Sequence, residues 1–160
     1  MDLDQEGIGQ FGEAVERMPG LLEELVSAPK HTVAEHPAVP NVPGIYLFSE
    51  DERPIYVGQS RTLRQRLRDH TVLTSKQNKA SFAFNIAKRE AHQAGLDIAR
   101  FREVLEADPD FAAHFAEAKA RVAAMEVQFI ELEDPIERTL FEVYASLALK
   151  TTEFNKFETH

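Results

Sequence analysis

A chain of 160 residues with 18 Lys+Arg against 27 Asp+Glu, a net charge of −9, is sized for one domain with a substantial core. Its 43% hydrophobic and 28% charged residues exclude extensive disorder, and zero cysteines exclude a disulfide scaffold, a thiol nucleophile and any cysteine-ligated metal. No apolar run approaches the ~20 residues of a membrane span, and the acidic start MDLDQEG has the wrong sign for a secretory signal, so the expectation is a soluble cytoplasmic protein with no membrane partner.

Ile8, Phe11, Val15 and Met18 recur at helical spacing, and Leu21, Leu22, Leu25 and Val26 continue the pattern. Pro19-Gly20 should divide this stretch into two helices. Pro29, Pro37, Pro40 and Pro43 mark residues 28–43 as an extended linker. Residues 1–40 thus read as an acidic helical extension with a proline-rich linker, which either packs on the main domain, the favoured reading, or meets a protein partner or a second copy, and a second unit spans 41–160. That unit opens with Gly44-Ile45-Tyr46-Leu47-Phe48, a polar turn over 49–53, and Pro54-Ile55-Tyr56-Val57-Gly58, the pattern of an antiparallel hairpin. A helix follows, with Thr62 and Gln65 spaced as a capping box. Residues 81–94 predict another helix, stopped by Gly95. Residues 97–122 predict two pieces broken near Pro109, Met125–Leu132 a third strand, and Pro135–Leu149 a last helix with proline at its start. The fold class is α/β (α+β): a small sheet with flanking helices.

Charge is sorted along the chain. Arg53 to Arg102 holds eleven Lys/Arg and three Asp/Glu, a net +8, and the other 110 residues hold 7 basic and 24 acidic side chains, a net −17. A basic region on an acidic body is the minimum electrostatic footprint for phosphate binding. On the helix after the hairpin, Leu63 and Leu67 define the buried stripe. Arg61, Arg64 and Arg68 share a face away from it, and Lys76 and Lys79 extend the basic run; these five are the candidate nucleic-acid contacts. Arg66 and His70 sit beside the leucines, where a cation must be partly buried. Arg66 either pairs with a carboxylate or faces a phosphate. In the last helix Ile136, Leu140, Val143, Tyr144 and Leu147 form the principal apolar face, and Phe141, Ala145, Ala148 and Leu149 make much of the other side apolar. Glu142 interrupts that second side, either as an i,i+4 partner of Arg138 or as a ligand for a hard cation. The histidines show no zinc spacing, and His31, His36, His92 and His114 default to surface or packing roles.

Gly44-Ile45-Tyr46 followed by Tyr56-Val57-Gly58 resembles the signature of the GIY-YIG nuclease superfamily, which includes homing endonucleases, some restriction enzymes and the incision subunit of bacterial excision repair. The rest of the pattern follows in order: Arg66 on the next helix, His70 one turn later, Glu142 on a later helix and Asn155 beyond it. The resemblance covers about residues 42–157. The spacer between Tyr46 and Tyr56 is nine residues, one shorter than is usual for the family.

The resemblance implies a three-stranded antiparallel sheet with the site on one face, and an endonuclease hydrolysing DNA phosphodiesters by a single-metal mechanism. Glu142 is then the ligand of Mg²⁺ (or Mn²⁺), and Arg66 meets charge on the phosphoryl oxygens. Tyr46 or His70 activates water, Tyr56 positions it and Asn155 orients neighbours. The rival expectations are an inactive DNA-binding module of the same fold and a nuclease for RNA.

Overall fold

The computed structural model describes residues 3–72 and 80–157. At its centre lies β2 (Gly44–Glu50), of which every residue except Glu50 is buried, so the sheet must be covered on both faces. Alternation along β2 divides the core in two. Ile45 and Leu47 point toward Met18, Leu25, Val57 and Phe141, and Tyr46 and Phe48 point toward Leu63, Leu67, Phe82 and Phe84. The first face is covered by α1 (Gln5–Ser27) and α6 (Pro135–Ala148), the second by α2 (Leu63–Thr71), α3 (Ser81–Gln93), α4 (Arg102–Ala107) and α5 (Pro109–Ala123).

The sheet has four antiparallel strands in the order β1-β4-β2-β3, with β1 at His31–Thr32, β3 at Arg53–Ser60 and β4 at Glu126–Glu131. The fourth strand, against the three expected, is a polar dipeptide too short to carry an alternating signal. It falls inside the proline-rich stretch, which also contains a 3-10 helix at Val33–Ala38 and is therefore not uniformly extended. The hairpin is tighter than its polar turn implies. Glu50 pairs with Arg53, leaving Asp51 and Glu52 as a two-residue loop with φ of 49° and 63°, the doubly positive conformation of a type I′ turn. A register shift after Phe48 leaves Ile55 as an extra residue beside Pro54, a bulge that suits the missing proline donor. Turn and bulge together absorb the short spacer.

Helix α1 runs unbroken through Pro19, because Met18 and Leu25 on either side are anchored in the core and outweigh a local loss of ~3 kcal/mol. Its apolar stripe outruns the sheet, so Ile8, Phe11 and Val15 remain exposed. Helix α2 lacks the expected capping box: the Thr62 side chain makes no cap bond, and the Gln65 amide is met by Asn41 Oδ1 at 3.3 Å. Helix α3 ends in a Schellman turn, with Gly95 at φ 87° and bonds from Gly95 to His92 and from Leu96 to Ala91. Residues 97–101 are not helical, and Pro109 opens α5 as anticipated.

Of the two apolar sides of α6, the one carrying Phe141 and Ala145 is the more deeply buried, with Leu140 and Tyr144 of the other packed partly against the same cluster. Phe141 and Ala145 are buried, and Ile136 and Leu147 are 69% and 65% exposed. Arg138 is buried too, but it caps the Leu132 and Glu133 carbonyls and has no bond to Glu142.

Candidate active site at the edge strand

The two motif glycines have separate steric reasons. A Cβ on Gly44 would lie 2.2 Å from the Ile130 carbonyl oxygen and 2.7 Å from Leu63 Cδ1, so glycine there lets β2, β4 and α2 close together. A Cβ on Gly58 would lie 2.3 Å from both Cζ and the hydroxyl oxygen of Tyr46. Gly58 stands opposite Tyr46 in the ladder, and its missing side chain is the space in which the phenol lies. Tyr56, two residues earlier on β3, is Tyr46's diagonal neighbour on that face, with ring centroids 6.2 Å apart.

The Tyr46 hydroxyl lies 2.8 Å from His70 Nε2 and accepts a 3.2 Å bond from Arg66 Nε. Arg66 also donates from its terminal nitrogen to Ser81 Oγ at 3.1 Å, tying α2 to the first turn of α3. The spacing of Arg66 and His70, one helical turn, is what brings both to one oxygen. His70 is fully buried among Phe48, Phe82 and the two tyrosines. Burial, seconded by the Arg66 cation, holds its imidazole well below the ordinary pKa, so it is neutral at pH 7. Its Nδ1 has no hydrogen-bond partner among the described residues. Burial pushes the Tyr46 phenol up, with Arg66 pulling the other way, and pushes Tyr56 up further.

β3 is one of the two outer strands of the sheet, and the site straddles its edge. The tyrosines approach from one face. From the other, Gln59 reaches α6 and donates its amide to Glu142 Oε2 at 2.7 Å and to Thr139 Oγ1 at 3.3 Å. Glu142 is half-buried, and desolvation raises its pKa despite Gln59 and Arg66. Its bland alternative, the pair with Arg138, is not formed. Asn155 occupies the place of an absent neighbouring strand: its Oδ1 accepts from the Val57 amide at 3.0 Å and its Nδ2 donates to the Val57 carbonyl at 2.5 Å. Thr151 Oγ1 supports that oxygen at 2.8 Å, held in position by a Schellman turn with Lys150 at φ 58°. Tyr56, Ser81, Glu142 and Asn155 line one open cleft of about 750 Å³.

This constellation has a counterpart among known domains: the model of the GIY-YIG catalytic domain matches residues 42–138, more than half of the chain. The chain belongs to the GIY-YIG family. Searches against curated proteins and against solved structures return no significant match. Tyr46, Tyr56, Arg66 and His70 lie within the matched region of the GIY-YIG domain, while Glu142 and Asn155 follow it. The family is one of endonucleases, generally metal-dependent.

The basic residues expected to contact nucleic acid are placed less centrally in this GIY-YIG domain. Arg61, in the turn before α2, and Arg68, on α2, are exposed, and Arg64 donates Nε to the Val39 carbonyl at 2.7 Å. None of the three lines the cleft, and Lys76 and Lys79 lie outside the described residues. The cleft is instead bordered by Lys88, Arg89, Arg102 and Lys156. Lys88 and Arg89 follow Ser81 at helical intervals of seven and eight, so a wheel of α3 could have found them. Lys156 could have been found only through Asn155. A second group, Glu90, His114 and Glu117, brings three ligand atoms within 4.8 Å at the contact of α3 and α5, away from Glu142; Glu90 also meets Arg121 at 3.3 Å. Among the described residues no helix is long and apolar enough to cross a membrane.

Proposed function

We propose that this domain is a metal-dependent endonuclease that hydrolyses DNA phosphodiester bonds at the edge of β3. The observation that carries the reading is the meeting of Tyr56, Ser81 and Glu142 in one cleft, with Tyr46 and Arg66 hydrogen-bonded immediately behind it. The donor chemistry fits a hard cation. Glu142 offers a carboxylate with one oxygen held by Gln59, beside a hydroxyl from Thr139, without the soft ligands that zinc or copper favour. Glu142 would hold a single Mg²⁺ or Mn²⁺ that keeps most of its waters. Such an ion, when bound, supplies Lewis-acid polarisation of the phosphate and stabilisation of the leaving oxygen.

The chain's own groups do the rest. Tyr46 takes a proton from the attacking water onto its hydroxyl oxygen while its own proton passes to His70 Nε2, which the neutral imidazole is able to accept. Tyr46 thus stays a neutral phenol while the imidazole takes up the proton, and Arg66 keeps the hydroxyl oxygen in place through its Nε bond. The same guanidinium meets charge on the phosphoryl oxygens. His70 touches no solvent and acts through Tyr46. Asn155 acts by fixing the β3 backbone between Tyr56 and Gly58.

The test is incubation of the purified chain with supercoiled plasmid, linear duplex, single-stranded DNA and RNA, each in Mg²⁺, Mn²⁺ or EDTA. Cleavage of DNA only when a divalent ion is present is the expected result. Undiminished cleavage in EDTA overturns the metal dependence, preferential cleavage of RNA overturns the substrate, and no cleavage of any substrate overturns the activity.

A further inference from the structure

Arg102 and Lys156 border the cleft and are each flanked in sequence by an exposed aromatic, Phe101 and Phe157. Phe101 is 82% exposed, more than any other large hydrophobic side chain among the described residues. It stands at the N-cap of α4, where its backbone carbonyl receives the amides of Val104 and Leu105, so the ring is carried on an anchored main chain. An anchored phenyl ring in water forgoes the gain of burial and draws notice only where a ligand can cover it.

The charges beside these rings are available. Of the four cations on the cleft, Arg89 is spent on Glu153, with which it forms an ion pair. Lys88, Arg102 and Lys156 make no ion pair among the described residues. Three cations without an ion pair around one cleft, of which Arg102 also lies over the Phe84 ring, draw phosphates to this place on a chain of net charge −9.

We infer, building on the nuclease reading, that the cleft takes a DNA strand bearing an unpaired base beside the scissile phosphate, with that base stacked on Phe101 and its neighbour on Phe157. The physical reason is access. In a continuous duplex both faces of every base are covered by its neighbours, so an aromatic side chain can stack only where a base is unpaired, flipped or terminal. Lys88, Arg102 and Lys156 hold the backbone through its phosphates, independently of sequence. The preferred substrates are therefore single strands, gaps and branched ends, and an intact duplex is a poor one.

Binding is measured with the full chain in EDTA, where the proposed cleavage does not proceed, by fluorescence anisotropy. The probes are a single-stranded 20-mer, its blunt duplex, and a duplex with a three-nucleotide gap, all at one salt concentration. The single strand and gapped duplex should bind at least ~10-fold more tightly than the blunt duplex, the worth of one stacked base. Phe101→Ala with Phe157→Ala should remove that preference and leave duplex affinity unchanged. Lys88→Ala with Arg102→Ala should weaken all three probes alike. Equal affinity of the wild type for all three, or a preference that survives the double phenylalanine change, overturns the inference and leaves the nuclease reading standing. Failure to bind any of the probes overturns both. All four side chains are substituted on the surface or the cleft rim, and a circular-dichroism melt matching the wild type shows that the fold is retained.

Discussion

The two walls of the cleft are built on opposite principles. On the Tyr46 wall, fold and chemistry use the same atoms: Tyr46 and His70 are fully buried, Gly58 exists to make room for the phenol, and Phe48 and Phe82 pack against the imidazole. On the Glu142 wall they are separate. Glu142 is half-buried, holds its conformation through Gln59 and Thr139, and contributes nothing to either apolar cluster. The first wall cannot be altered without disturbing the sheet. The second can lose its functional group with the fold intact, and desolvation of its carboxylate means that folding gains nothing from the charge.

The sharpest separation should come from Glu142→Ala. Cleavage should fall by on the order of 10³-fold or more, with DNA affinity in EDTA and the melting temperature both unchanged. A large drop in melting temperature would show that this carboxylate is structural and that the walls do not differ.

Arg66→Lys is the next largest, and it addresses the junction of the two walls. Lysine keeps the charge but not the fork that reaches Tyr46 and Ser81 together. The cleavage rate should fall by ~10²-fold, with DNA affinity within about twofold. An unchanged rate would mean that charge alone is required there.

How much of this contrast was legible beforehand follows the same division. The Tyr46 wall is written locally: two β-rich runs around a polar turn give β2 and β3, and Leu63, Arg66, Leu67 and His70 read off one helical wheel. The Glu142 wall is assembled from pieces far apart, Gln59 with Glu142 and Val57 with Asn155, and no periodicity reports such pairings. Glu142 was visible as an anomaly on an apolar helix and through the family resemblance, but its partner Gln59 was not. With both sides of α6 apolar, the sequence left open which one is buried, and only the fold shows Phe141 and Ala145 buried and Ile136 and Leu147 exposed. The fourth strand escaped for want of length, and Pro19 misled because a local rule was outweighed by packing on both sides of it. The cations of the cleft rim come from α3, α4 and the segment after α6, which only the tertiary fold brings together.

On the buried wall, Gly58→Ala forces a methyl group into the Tyr46 ring. Overpacking of this kind costs about 1–3 kcal/mol, which should lower the melting temperature by about 2–10 °C and cut activity with it. Loss of activity with an unchanged melting temperature would show that Tyr46 moves aside without cost to the fold.

Acid sensitivity divides the walls by sign. His70 has a folded-state pKa below its ordinary 6.5, so as the pH falls below that value the unfolded chain binds a proton that the native imidazole does not, and stability falls. The slope is about 1.4 kcal/mol per pH unit while the difference of one proton lasts. Glu142 works oppositely: its raised pKa means that the native state takes up a proton first as the pH falls toward the ordinary carboxylate range, and stability rises slightly. Denaturant melts of the wild type and of His70→Phe from pH 7 to pH 5 separate the two, and the variant should lose most of the decline. A decline of the same steepness in His70→Phe would assign it to other groups.

The smallest effect concerns the support of the edge. Lys150 sits at φ 58°, in the left-handed conformation that closes α6 and delivers Thr151 to Asn155. A side chain there meets its own backbone, at roughly 1–2 kcal/mol, and glycine removes that strain while adding freedom to the unfolded chain. The balance should leave Lys150→Gly more stable by about 0.5–1 kcal/mol, with the turn, the Thr151–Asn155 bond and hence the rate of cleavage unchanged. Lys150→Pro is the complementary change: its fixed φ near −65° cannot form this turn. It should release Asn155 from Val57 and lower activity as well as stability, so a pair of melts and a pair of rates tell whether the edge of β3 depends on this one conformation.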